Sequence, residues 1–175
     1  MSALELFQAK FVKPNDGRTL VVGSKIYGDK VDRRRLFKNA VGVDMEDGQG
    51  VDRVLDLEDP LPNDIGTFAH IECMSVLEHS RRPWLLAANL ERLLDADGTI
   101  FVSVPWVWRF HPYDHDYYRF SRQGIEAIFP GIEWEELSLV TDKIEKGDKV
   151  EATRVNGHPF IARAETCGFG RKRGD

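Results

Sequence analysis

Five short apolar runs constrain this chain more than any other feature: TLVVG at 19–23, AVGVD at 40–44, RVLDL at 53–57, FAHIECM at 68–74 and GTIFVSVP at 98–105. Runs of this length, rich in β-branched and aliphatic residues, read as strands covered on both faces. Helical patterns lie between them. In RRPWLLAANLERLLDADG, Leu86, Leu90, Leu93 and Leu94 recur at i, i+4, i+7 and i+8, Pro83 suits a first turn, and Gly98 follows as a stop. DKVDRRRLFKN, 29–39, reads as one short helix. Parallel neighbours require crossover connections, so strands alternating with helices predict an α/β fold: one doubly wound, Rossmann-like domain with a mostly parallel sheet. After residue 130 the pattern changes. Strand-like segments at 132–140 and 158–166, joined by a charged connection, predict a C-terminal antiparallel strand hairpin at the sheet edge, with DKVEATRV at 148–155 equally readable as strand or helix.

Composition narrows the partners. A chain of 175 residues with 42% hydrophobic and 30% charged residues has the make-up of one packed domain. A net charge of -5 and a pI near 5.6 argue against a nucleic-acid backbone as partner, because phosphate binding needs clustered Lys and Arg. The basic runs Arg33-Arg34-Arg35 and Arg171-Lys172-Arg173 are short and read as solvated surface. The start, MSALELFQAKFVKPNDG, lacks the basic and apolar regions of a signal peptide, and no run approaches the ~20 apolar residues that span a bilayer. The expectation is a cytoplasmic protein with no membrane partner. Cys73 and Cys167 stand far apart, which predicts packing residues rather than a disulfide or a CxxC metal site.

In a doubly wound sheet, ligands bind beyond the carboxyl ends of the strands. The first strand is followed by Gly23 and Gly28, which let the backbone turn tightly and approach a ligand. Asp44 ends the second, 21 positions beyond Gly23, where a carboxylate can accept both hydroxyls of a ribose. Asp56 ends the third and CMSVLEH the fourth. WRFHPYDHDYYRFS, 108–121, too polar for a strand and too aromatic for an ordinary linker, follows the fifth.

With TLVVGS, GVDMEDGQGVDRVLDLEDPLP, ECMSVLEHSRRPWLLAANLERLLDADGTIFVSVPW and HPYDHDYYRFSRQGIEAIF in these places, residues 19–130 resemble the class I S-adenosylmethionine-dependent methyltransferases. The resemblance is to a small bacterial or phage-type branch. It implies S-adenosylmethionine as cofactor, bound by a 19–130 core between an N-terminal extension (1–17) and a strand hairpin (131–166) with a basic tail (167–175). By the resemblance, Gly23 and Ser24 face the methionine part and Gly28 belongs to the same loop. Asp44, with Met45 beside it, binds the ribose, Asp56 and Leu57 hold the adenine, and Met74 lies alongside the cofactor. The chain departs from the family at Val21, where an acid usually stands two before the first Gly, at Lys25 and Tyr27, where further glycines fall, and at Ala69, which replaces an Asp. Only eight residues separate Asp44 from Arg53, too few for the usual intervening helix.

Methyl transfer from a sulfonium is an in-line displacement with an activated leaving group, so alignment carries most of the work and a base serves only a protonated nucleophile. His111 and His115 are the candidate bases, with Asp114 or Asp116 fixing the ring tautomer and Trp106, Trp108, Tyr113, Tyr117 and Tyr118 walling the acceptor. The competing reading makes the stretch a seal: aromatics on the core, Asp116 paired with Arg119, and Ser121 capping the next helix. Glu78 and His79 read as loop-ordering residues and His70 as packed or exposed. A metal at His111, His115 and Asp116 has no ligand from elsewhere in the chain, so no metal is expected. The expected activity is methyl transfer to a hydroxyl or amine of a small-molecule or glycan-linked acceptor. The alternatives are a catalytically inactive interaction module and a nicotinamide-dependent oxidoreductase, the latter disfavoured because GxGxxG is absent.

Overall fold

In the computed structural model the described residues are 1–108, 110–111, 115–141 and 164–174, together with the backbone of 153–155 and 158–160. Seven strands form one sheet in the order β3-β2-β1-β4-β5-β9-β6: β1 (Arg18–Val22), β2 (Asn39–Asp44), β3 (Arg53–Val54), β4 (Phe68–Met74), β5 (Leu94–Val107), β6 (Ile132–Val140) and β9 (Ala164–Lys172). The pairs from β3 through β5 are parallel, and β9 runs antiparallel to both β5 and β6. Two short strands, β7 (Thr153–Val155) and β8 (His158–Phe160), pair separately. The expected α/β sheet with an antiparallel C-terminal part is therefore present.

One face of the sheet offers Leu20, Val22, Ile71, Cys73, Ile100 and Val102 to the helix α2 (Pro83–Leu93), which answers with Leu86, Leu90 and Leu93. Fully burying an aliphatic side chain of this size contributes roughly 1.5–3 kcal/mol, so this layer supplies much of the cohesion. Pro83 occupies the first turn of α2, as its fixed φ and missing N–H favour. Ser121 caps α3 (Arg122–Ile128) by accepting the Gly124 N–H at 3.1 Å, and Ile125 anchors that helix to the core. The opposite face carries Phe101 and Phe169, against which α1 (Ala3–Phe11) sets Phe7 and Phe11 at ring-centroid distances of 6.1 and 5.8 Å. Within the N-terminal extension, 1–17, α1 thus covers the second face.

Other boundaries move too. The short helix expected at 29–39 is only a 3-10 turn, Arg33–Leu36, started by Asp32, whose carboxylate accepts the Arg34 N–H. α2 stops at Leu93 and the chain turns directly into β5, so Gly98 lies within the strand. The left-handed residue at this bend is Asp97, φ 62°. Of the strand expected at 158–166, 158–160 form β8, 161–163 lie outside the described residues and 164–166 begin β9, which continues through the supposed tail: Cys167, Gly168 and Phe169 are buried between β5 and β6. A strand inserted between two others must bury both faces, which Thr166, Cys167 and the small Gly168 and Gly170 allow. The basic pair Arg171 and Lys172 is its last turn toward solvent, each side chain donating to a carbonyl, that of Asp97 or Leu94, at 2.8 Å. Asp44 and Arg53 are joined by a loop without a helix, as their spacing requires. Among the described residues no helix is long and apolar enough to cross a membrane.

Candidate active site

The parallel strands all end on one rim, and a cavity of about 680 Å³ opens there between the loops after β1, β2, β3, β4 and β5. That volume suits a cofactor-sized ligand. Gly23 turns away from β1 with φ 66°, and a Cβ at this position would stand 2.6 Å from Val76 Cγ2. Ser24 is buried, lines the cavity, and its hydroxyl has no hydrogen-bond partner among the described residues. Asp44 closes β2 with Oδ2 accepting the Lys25 N–H at 3.0 Å and Oδ1 accepting the Glu46 N–H at 3.2 Å, so its carboxylate is fixed at the rim. Met45, Asp56, Leu57 and Met74 line the same cavity. Gly28 does not: its φ is 60°, but it sits in open space away from the lining.

The departures at Val21 and Lys25 have structural counterparts. Val21 is 1% exposed and lies opposite Glu72 in the β1–β4 register. A buried carboxylate therefore stands on the neighbouring strand instead. Glu72 is 1% exposed and satisfied by Gln8 Nε2 at 3.0 Å, Arg33 Nη2 at 3.1 Å and His70 Nε2 at 3.2 Å. It thereby holds Arg33 at the cavity wall, where the guanidinium also meets Met74 Sδ. A glutamate inside an apolar strand run was the available signal for this arrangement. Lys25 lines the cavity but its ammonium is drawn to Glu46 at 2.5 Å, which raises its pKa.

Below the rim, Glu58 ties the loop after β3 to the start of α2. Its Oε1 accepts from Ser80 Oγ and the Arg81 N–H at 2.7 Å each, and its Oε2 from Arg82 Nε at 2.9 Å. Burial opposes ionisation of Glu58, but these bonds outweigh it and hold the carboxyl below its ordinary value.

The far end of the cavity is built from the loops after β4 and β5. Glu78 is fully buried, and neither carboxylate oxygen has a hydrogen-bond partner among the described residues; burial pushes its pKa up to about 8. His79 Nε2 lies 3.8 Å and His111 Nε2 4.0 Å from Glu78 Oε1. The two rings meet edge to face at 5.1 Å. Each is oriented through its other nitrogen: His79 Nδ1 by the His115 carbonyl oxygen at 2.5 Å, His111 Nδ1 by Asp116 Oδ2 at 3.3 Å. Burial lowers the pKa of His79. Asp116 also accepts the His111 N–H at 2.9 Å and pairs with Arg119, whose hydrogen bonds push the carboxyl down to about 2. The Tyr117 and Tyr118 N–H groups donate to the Glu78 carbonyl at 2.8 and 3.3 Å, docking the second loop on the first.

Of the three residues expected to carry chemistry, only His111 lines the cavity. His115 is exposed, and it contributes its carbonyl while its ring rests 5.0 Å from that of Tyr117. Asp116 touches His111 and pairs with Arg119, the pairing that the sealing reading expects. Trp108 lines the cavity; Trp106 and Tyr117 face solvent, and Tyr113 and Asp114 lie outside the described residues. Glu78 and His79, read as loop-ordering residues, do join the two loops and also stand at the cavity wall, together with Glu165 from β9. The EH pair at the end of a buried strand was the sequence signal for the first two. Glu165 had none, because only the insertion of β9 beside β5 brings it here. His70 is packed, with Nδ1 at 2.8 Å from Thr99 Oγ1.

This sheet, with its ligand-sized cavity at the carboxyl rim, defines the fold of the class I S-adenosylmethionine-dependent methyltransferases. A Bacillus halodurans C-125 protein assigned to the methyltransferases superposes with a TM-score of 0.68 at 16% identity, covering 98% of this chain and 99% of that one. The N-methyltransferase NodS from Bradyrhizobium japonicum, solved with S-adenosylhomocysteine, gives 0.60 at 11% identity over 98% of this chain and 84% of that one. In sequence, the chain is 32% identical over 90 residues to the 25S rRNA (adenine(2142)-N(1))-methyltransferase of Saccharomyces cerevisiae. That match takes in 49% of this chain and spans only 27% of the yeast protein. No family model matches the chain.

Proposed function

We propose that this protein transfers a methyl group from S-adenosylmethionine to a hydroxyl or amine nucleophile held at the Glu78–His79–His111 end of the cavity. The observation that carries the reading is the placement of Gly23, Ser24, Asp44, Asp56, Leu57 and Met74 around one cavity at the carboxyl rim. Their chemistry fits the cofactor. The bare backbone at Gly23 admits close approach, the unpartnered Ser24 hydroxyl awaits a polar group, and Asp44 presents a fixed acceptor for ribose hydroxyls. Leu57 and Met74 offer apolar surface to a base and a thioether chain. When bound, S-adenosylmethionine supplies a methyl group on a positively charged sulfur. The protein's own contribution is orientation, which can account for roughly 7–11 kcal/mol of such a barrier. The nucleophile loses its proton at this end of the cavity, with His115 and Asp116 as positioning residues.

The cavity wall carries Asp44, Glu46, Asp56, Glu58, Glu78 and Glu165 against Lys25, Lys30 and Arg33. An acidic mouth on a chain of net charge -5 favours a small-molecule or glycan-linked acceptor over a polyphosphate backbone. A nucleobase nitrogen is the second reading, supported by the similarity to the yeast rRNA enzyme. Incubation with methyl-tritiated S-adenosylmethionine and a fractionated cell extract separates them. Label is expected in the small-molecule or glycan fraction; label released only by ribonuclease would overturn the acceptor reading in favour of RNA.

A further inference from the structure

The cluster at the far end of the cavity has the parts of a metal site. Three donor atoms from two loops, one each from Glu78, His79 and His111, all lie within 4.8 Å of one another. The gaps from Glu78 Oε1 to the two Nε2 atoms, 3.8 and 4.0 Å, are too long for hydrogen bonds. Metal–nitrogen and metal–oxygen bonds of about 2.0–2.2 Å at a tetrahedral angle set donors roughly 3.4 Å apart, so small ring movements would close the set on an ion. Glu78 supplies an independent pointer. It is fully buried, lines the cavity, and has no hydrogen bond to either oxygen among the described residues, a costly arrangement that a cation would relieve.

Both histidines are also oriented as ligands usually are. A ligating imidazole binds through one nitrogen and gives the other N–H to a carbonyl or carboxylate. Here His79 Nδ1 faces the His115 carbonyl and His111 Nδ1 faces Asp116, which directs both Nε2 atoms toward Glu78. Docking of the Tyr117 and Tyr118 N–H groups on the Glu78 carbonyl holds the two loops in that relation.

We infer that Glu78, His79 and His111 bind one divalent first-row transition ion of the zinc or cobalt class, with an open coordination position facing the cavity. Two imidazoles and one carboxylate suit such ions better than magnesium or calcium, which prefer oxygen ligands. Three protein ligands leave room for water or an acceptor oxygen, whose proton coordination would make easier to lose. The site itself rests on no step of the proposed methyl transfer.

The test uses tag-free protein stripped with EDTA and titrated with Co²⁺ by visible absorption, followed by displacement with Zn²⁺. One ion per chain is expected, with absorption bands of four- or five-coordinate cobalt, and Zn²⁺ should raise the melting temperature. Glu78→Gln, His79→Ala and His111→Ala should each weaken binding at least tenfold, and Asp116→Asn about tenfold through loss of the oriented ring. Cooperative melting checks that each variant is folded; His79 and His111, at 20% and 18% side-chain exposure, tolerate truncation where the buried Glu78 would not. No saturable binding at 1 mM Co²⁺, or wild-type affinity in the His79→Ala/His111→Ala double variant, would overturn the inference. S-adenosylhomocysteine binding on the same metal-free sample keeps the two proposals apart. Binding of that ligand without cobalt removes only the metal site, and cobalt binding without it removes only the cofactor reading.

Discussion

Gly23 and Gly28 share a left-handed backbone, φ 66° and 60°, and differ in everything around it. At Gly23 an added methyl would run into Val76 Cγ2 at 2.6 Å, beside the cavity; at Gly28 it would meet nothing within 4 Å. Gly23→Ala should therefore combine backbone strain of about 1–3 kcal/mol with a steric clash and abolish measurable S-adenosylhomocysteine binding. Gly28→Ala should carry the same backbone strain without the clash and leave affinity within threefold of wild type. Urea unfolding and ligand titration of the pair check this, and equal effects of the two changes would contradict it. In the sequence the two glycines looked alike, since both follow the first strand and nothing local tells which one faces a ligand. Glu72 shows the converse. Its carboxylate stands across from Val21 on the next strand, a placement that only the strand pairing reveals.

At the scale of elements, α1 is lightly held. Ser2 and Glu5 form a capping box at its start, yet none of its residues is fully buried, and its hold on the sheet rests on half-buried Phe7 and Phe11 and the Gln8–Glu72 bond. β4 and β5, by contrast, carry Phe68, Ile71, Ile100 and Phe101 at 0% exposure. Hydrogen exchange should show α1 amides opening well before those of β4 and β5. Because Leu4 lines the cavity, S-adenosylhomocysteine should slow α1 exchange as well. Protection of α1 equal to that of β5 in the free protein would contradict this account. The helix itself was not legible, since its apolar residues cover a face rather than enter the core. α2 was legible because Pro83 and the leucine spacing agree, but its end was not. Gly98 looked like a stop, whereas the chain turns at Asp97, a non-glycine in the left-handed region.

For the whole molecule, the parallel half of the sheet could be read because each strand is a continuous apolar run followed by a breaker. The antiparallel half could not be placed by the same rule. β9 alternates small and buried residues with no long aliphatic run, and its position between β5 and β6 follows from long-range pairing alone. That insertion brings Glu165 to the cavity, and the docking of the 115–118 segment on Glu78 brings His79 and His111 together. The end of the cavity around Gly23, Asp44 and Met74 was thus written in local motifs, while the end around Glu78, His79 and His111 exists only once the fold is complete. The central claim is that the rim cavity binds the adenosyl cofactor, and isothermal calorimetry with S-adenosylhomocysteine, with NAD as control, tests it most directly. The account predicts saturable binding of one S-adenosylhomocysteine per chain and none of NAD. Asp44→Ala should bind at least tenfold more weakly, in line with the roughly 1.5–3 kcal/mol of a charge-assisted hydrogen bond. No heat at millimolar S-adenosylhomocysteine, or binding of NAD alone, would contradict it.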